Sequence, residues 1–313
     1  MEGITGYIYR KEHASHFGGC DRYFMPFIDP KDHASLMKKE KKDIAPENNT
    51  GIPVVPQILT NRADRFLTTA RMLEDLGYGE LNLNLGCPSG TVVSRGKGSG
   101  FLTSPDRLRA FFEKIFDGLA DSSLLLSVKT RLGMKSPEEM TALMEIYNDY
   151  PISELIIHAR VREDYYKHPV RLEAFQEALS VSRHPICYNG DLLDFEAVER
   201  FRKRFPQVDR LMLGRGMIAE PGLPLQLAEK GPDQAWKAKP MDYLALQDFM
   251  EDLCDRYEAE IGNNALFKMK EIWTYMLPRF EVPGPMKKKL IKSRRLSDYR
   301  IQARALFFEA ISA

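Results

Sequence analysis

Strand-length apolar runs return at short intervals along the first two thirds of the chain. They read RYFMPFI (22–28), PVVPQIL (53–59), ELNLNLGC (80–87), LLLSVKTR (124–131), ELIIHAR (154–160), PICYNGD (185–191) and RLMLGRG (210–216). Each is rich in aliphatic or β-branched residues, as strands are. The gaps between them carry helical patterns. SPDRLRAFFEKIFDGL opens with Ser104 as N-cap and Pro105 at the first helical position, then puts Leu108, Phe111, Phe112, Ile115, Phe116 and Leu119 on one face. SPEEMTALMEIY repeats the device, with Ser136 as cap and Glu139 completing a capping box. Strand and helix in alternation imply parallel strands joined by right-handed crossovers. Seven runs are one short of a closed eight-stranded barrel, and the opening MEGITG reads as the turn after a strand. The expected fold is therefore α/β: a (β/α)8 TIM-type barrel with its first strand missing or truncated at the N-terminus. An open doubly wound sheet competes less well, because no GxGxxG follows the first strand.

Beyond residue 227 the pattern changes. EKGPDQAWKAKP (229–240) has linker composition, and two long helical segments follow, Tyr243–Ile261 and 264–277. PRFEVPGP interrupts, and a basic final helix is expected to run to the end. This predicts a barrel domain over 1–228, a linker over 229–240 and a small helical domain over 241–313. The net charge of +1 gives no global field that would announce a polyanionic partner. Four cysteines, Cys20, Cys87, Cys187 and Cys254, form no CxxC pair, which speaks against a zinc knuckle or a disulfide framework and fits a reducing cytoplasm. No run reaches the length of a membrane span, and no signal peptide is legible. We expect a cytoplasmic monomer.

In such barrels the active site lies at the carboxyl ends of the strands. Those ends collect Gln57, Asn84, Cys87, Lys129, Arg131, His158, Arg160, Asn189, Asp191, Gly214 and Arg215, a polar set on otherwise apolar segments. YNGD and LGRG add glycines where backbone approaches a ligand closely. Loops after the last two strands form this fold's usual phosphate site, so a phosphorylated ligand is expected. Lys129 ends an apolar strand, where an ammonium needs an anion or loses its proton. It could form a Schiff base, or donate to an electron-rich ring such as the pyrimidine edge of a flavin. His158 could be a general acid, a ligand donor or a satisfied core histidine. Metal binding is disfavoured, since neither HxH after the first strand nor HExxH occurs.

MEGITG, PQIL, LNLNLGCPSGTVVSRGKGSGFL, VKTRLG, IIHAR, YNGD and LGRG together resemble the tRNA-dihydrouridine synthases, in order and spacing, from Met1 to about residue 225. FKMKEIWTYM (267–276) is a weaker echo in the tail. The resemblance implies an FMN-dependent barrel with a C-terminal helical domain. Such enzymes reduce the C5=C6 bond of selected uridines in tRNA with NADPH, or NADH, as reductant. By motif match Met1, Glu2, Gln57, Lys129, Asn189, Gly190, Asp191, Gly214 and Arg215 would hold FMN, His158 would lie against the flavin, and Cys87 would be the proton donor. Asn84, Arg131 and Arg160 are expected at the substrate. The glycine loop after Cys87 is expected to act as a hinge, with Arg95 and Lys97 offered to RNA phosphate. KKKLIKSRR (287–295) carries six basic residues and is expected to meet tRNA. Competing readings are an FMN-dependent reductase of a small free pyrimidine or enone, a Schiff-base aldolase using Lys129, and a non-catalytic RNA-binding protein.

Overall fold

The structure is a computed structural model that describes residues 1–31, 35–229 and 240–312. Its strands are β1 (Tyr23–Phe24), β2 (Val54–Val55), β3 (Gln57–Ile58), β4 (Glu80–Leu85), β5 (Leu125–Arg131), β6 (Glu154–His158), β7 (Ile186–Asn189) and β8 (Arg210–Met212). The strands β3 to β8 form one sheet whose order follows the chain, every neighbouring pair parallel. Helices Ala63–Asp75, Pro105–Gly118, Glu139–Asn148, Leu172–Val181 and Phe195–Arg204 make the crossovers. A doubly wound sheet reverses its strand order at a switch point. None occurs here, and the succession is that of a TIM-type barrel.

The packing falls into two compact units. One comprises Phe24–Asp191 and Arg204–Met212. In it, Leu81, Leu83, Leu85, Val128, Leu155, Ile157 and Tyr188 are nearly inaccessible on one face of the sheet. Alternation gives the other face to Asn82, Asn84, Ser127, Lys129, Arg131, His158 and Asn189. The register sets these in rungs: Asn84 opposite Lys129, and Arg131, His158 and Asn189 in line across β5, β6 and β7.

Two expected strands are altered. Pro56 lacks an N–H and splits the run at 53–59 into β2 and β3. The run at 22–28 keeps only the two residues of β1, but its end lies parallel to β3: Ile28 N donates to Gln57 O (2.7 Å) and Leu59 N to Ile28 O (2.8 Å). The helix expected from Ser136 begins at Glu139, whose carboxylate accepts the backbone N–H groups of Met134, Lys135 and Ser136.

The other unit comprises Met1–Tyr23, Leu192–Lys203 and Leu213–Ala313. Helix Tyr7–His16 and four tail helices, Tyr243–Ile261, Ala265–Met276, Gly284–Lys292 and Leu296–Ser312, share one core. Ile4, Ile8, Met217 and Ile218 lie in it with Phe249, Leu253, Met269, Trp273 and Phe307. Residues close to the N-terminus and after β8 thus pack with the tail. The expected basic final helix is two helices. The break comes at Ser293, which turns to extended backbone and whose carbonyl accepts from Lys270 Nζ. Of the expected linker, residues 230–239 lie outside the described residues. Among the described residues, no helix is long and apolar enough to cross a membrane.

Candidate active site

The first unit gathers most of the expected residues. Cys87 follows β4, partly exposed and outside any disulfide, and its turn is fixed from three sides. Asn84 Oδ1 accepts the N–H of Gly86 (3.0 Å) and of Cys87 (2.9 Å). Arg131 Nε donates to Gly86 O (2.9 Å). Ser99 donates to Cys87 O through its backbone N–H (3.1 Å) and its hydroxyl (2.9 Å). Between them Gly98 adopts φ +55°, and a Cβ there would stand 2.9 Å from Cys87 O and 3.0 Å from Cys87 Cβ. That approach and that backbone both require glycine.

The loop therefore clasps the cysteine turn, and the expectation of a hinge is corrected. Gly98 to Leu102 are buried. Lys97 is corrected as well: it is buried, and its ammonium pairs with Asp29, leaving it unavailable to phosphate. Arg95 is exposed.

A chain of amides supports the turn from below. Asn84 Nδ2 donates to Gln57 Oε1 (2.7 Å), Gln57 Nε2 to Asn82 Oδ1 (2.8 Å), and Asn82 Nδ2 to Ser127 Oγ (3.0 Å). Asn82 and Ser127 are fully buried members that the sequence reading missed. The period-two repeat in LNLNL put Asn82 on the face of Asn84 and was the signal for it.

Across the sheet from Asn84 stands Lys129. Its ammonium has no hydrogen bond or ion pair among the described residues. Burial, and then the nearby Arg131 guanidinium, push its pKa down to about 8. Arg131 is almost inaccessible and also donates to Val161 O and Tyr165 O. It was expected at the substrate, and the structure places it as a strut between the cysteine turn and the 161–165 loop. Tyr166, half exposed, lies over Arg131 (5.4 Å to the ring centroid) and beside His158 (5.7 Å between centroids). The charged segment VREDYYKHPV gave no sign of this role.

Arg160 is 2% exposed and holds Asp191 with both guanidinium nitrogens, while its Nε donates to His168 O (2.6 Å). Arg160 Nη1 lies 3.3 Å from His158 Nε2. The turn after β7 is tight: Gly190 has φ +146° and Asp191 φ +47°. Asn189 Nδ2 ties it to Met212 O at the end of β8 (2.8 Å). The Asp191 carboxylate is occupied by Arg160.

Met1, Glu2, Gly214 and Arg215 belong to the other unit. Gly214 caps the short helix Arg215–Ala219. A Cβ on Gly214 would meet Met1 Sδ at 3.7 Å, an ordinary contact, so Met1 packs beside this turn. Gly216 is closed: a Cβ there would stand 2.1 Å from Leu192 O.

Within the first unit, the lone ammonium of Lys129 beside amide side chains is chemistry that suits an electron-rich ring bearing carbonyls.

The sequence matches the profile of the Dihydrouridine synthase (Dus) family over residues 1–289. It is 27% identical over 286 residues to the tRNA-dihydrouridine(16) synthase of Pseudomonas putida, covering 89% of this chain and 86% of that protein. It is also 27% identical over 269 residues to the probable tRNA-dihydrouridine synthase 2 of Bacillus subtilis, covering 83% and 78%.

Proposed function

The chain belongs to the dihydrouridine synthase family, and on that footing we propose that it is an oxidoreductase that reduces the C5=C6 bond of specific uridines in tRNA, with FMN as cofactor, NADPH or NADH as reductant and Cys87 as the proton donor. The observation that carries the reading is a cysteine outside any disulfide, its turn held by three separate supports, on the same strand ends as an ammonium with no hydrogen bond or ion pair among the described residues. Gln57, Lys129, His158, Asn189, Gly190, Asp191, Gly214, Arg215, Met1 and Glu2 would hold the cofactor. Bound and reduced, it would supply the hydride to C6 of the uracil.

The residues of the chain do the rest. Cys87 Sγ gives its proton to C5, so hydride and proton together saturate the double bond, and the thiolate is reprotonated from solvent. The supports from Asn84, Ser99 and Arg131 hold the backbone that carries the sulfur at one place and so shorten the search that proton transfer requires. Lys129 would pair with the electron-rich edge of the ring, and Arg215 with the phosphate. Arg160, holding Asp191 and touching His158, would keep the β6 and β7 ends in place and leave Asn84 and Tyr166 nearest the base. The base itself must leave its stack to reach strand ends.

Lys287, Lys288, Lys289, Lys292, Arg294 and Arg295 make no ion pair among the described residues, and all but Lys287 are exposed. They would meet tRNA phosphates. None of the four cysteines is in a disulfide, which fits a reducing compartment.

Cys87→Ala tests the reading. The purified variant should be yellow and its flavin should bleach with NADPH, while dihydrouridine formation in tRNA falls by about a hundredfold or more, the usual worth of a general acid. Colourless wild-type protein that resists FMN loading refutes the cofactor, and full activity of the variant refutes the acid.

A further inference from the structure

We infer that Lys268, on a tail helix, is a positioning residue for the cofactor: it fixes the turn at residues 1–3, so that holding FMN depends on the helical tail. The inference rests on the reading of Met1 and Glu2 as cofactor contacts. Lys268 Nζ donates to Gly3 O (2.6 Å). Glu271, one turn further along the same helix, pairs with Lys268 (3.4 Å) and stands against the turn from the same side. Gly3 has φ +82°, a backbone that calls for glycine, and a Cβ there would also crowd Glu271 Oε1 at 3.0 Å. Tyr257 OH donates to the next carbonyl, Ile4 O (3.4 Å), and Ile4 is buried in the core it shares with the tail.

The tail reaches the other expected cofactor turns in the same unit by similar means. Arg279 pairs with Asp194, three residues after Asp191, and with Glu220, at the end of the helix that Gly214 caps. Met217 and Ile218 of that helix lie in the tail's core. Three chain segments that adjoin expected cofactor residues are therefore fastened to helices that a sequence reading assigns to RNA alone. Lys268 is the charged one among the described fastenings on the turn bearing Met1 and Glu2. Without it Gly3 O loses a charged donor, and Glu271 is left beside the turn with no ion pair among the described residues.

The test is FMN binding to the cofactor-free full chain, followed by flavin fluorescence, with the visible absorption band of the bound flavin as a second readout. Lys268→Met should raise the dissociation constant about tenfold or more, the worth of one charged hydrogen bond. Its band should shift toward that of free flavin, while the melting temperature of the cofactor-free protein stays near wild type. Lys268→Arg should restore most of the affinity, which a role in general stability would not require. Gly3→Ala, which drives a Cβ against Glu271 from the other side, should weaken FMN by an independent route. Wild-type protein that takes up no FMN refutes the cofactor reading and this inference with it. Wild-type protein that binds FMN, with Lys268→Met and Gly3→Ala binding it equally well, overturns the inference alone.

Discussion

Replacing Lys129 with methionine should make the cofactor-free protein more stable at neutral pH and, on the proposed function, weaken its binding of FMN. Burial and the neighbouring Arg131 lower the Lys129 pKa from 10.5 to about 8. Below pH 8 the amine is protonated in both the folded and the unfolded chain, and folding carries the full cost of confining that charge. The fall from 10.5 to about 8 corresponds to about 3 kcal/mol. Lys129 is part-buried rather than sealed, so solvent screening makes this an upper limit. Between pH 8 and 10.5 the unfolded chain binds more protons than the folded one, and stability rises with pH. Above 10.5 the amine is neutral in both states and the cost is gone. Urea melts of cofactor-free wild type and Lys129→Met at pH 7 and pH 10 isolate the term, because every other titrating group is common to both. The variant should lead by about 2–3 kcal/mol at pH 7 and by much less at pH 10. A variant less stable than wild type at pH 7, or a lead that does not shrink with pH, refutes the assignment of Lys129 as an uncompensated charge. The expected trade is the one active sites commonly show, where a group that serves a ligand destabilises the empty fold.

Gly98→Ala should cost about 2 kcal/mol, from the left-handed backbone and the contact with Cys87, and should lower turnover more than it weakens tRNA binding. Asp191→Asn keeps a residue type that tolerates positive φ but removes the charge facing Arg160. It should cost about 2 kcal/mol in urea melts, less than a fully buried pair because Asp191 is one-third exposed. Changing Lys288, Lys289 and Lys292 to Gln should flatten the log–log dependence of tRNA affinity on salt by about 2–3 and leave FMN content untouched. An unchanged slope would move the RNA contact elsewhere.

Truncation after residue 240 looks, from the sequence, like a clean way to separate a small-molecule reductase from a tRNA enzyme. The shared core of residues 1–23, 192–203 and the tail removes that option, since Ile4, Ile8, Met217 and Ile218 would lose the helices that cover them. The tail's charges can be changed without that consequence, and they are the better probe.

The succession of strands and helices, the polar strand ends and the glycine turns were legible along the chain, because periodicity, capping and turn chemistry are local and are written in neighbouring residues. The sequence could set Asn84, Cys87, Lys129 and His158 at strand ends, and the parallel register then aligned them. It could not say which of those side chains were already engaged. Arg131 and Arg160 read as rim contacts, and only the fold showed that backbone carbonyls and Asp191 had taken them. Lys97 and Asp29 lie 68 residues apart, and Lys268 and Gly3 lie 265 apart. No local pattern encodes such a pairing, because it exists only once the strands and the tail helices have packed.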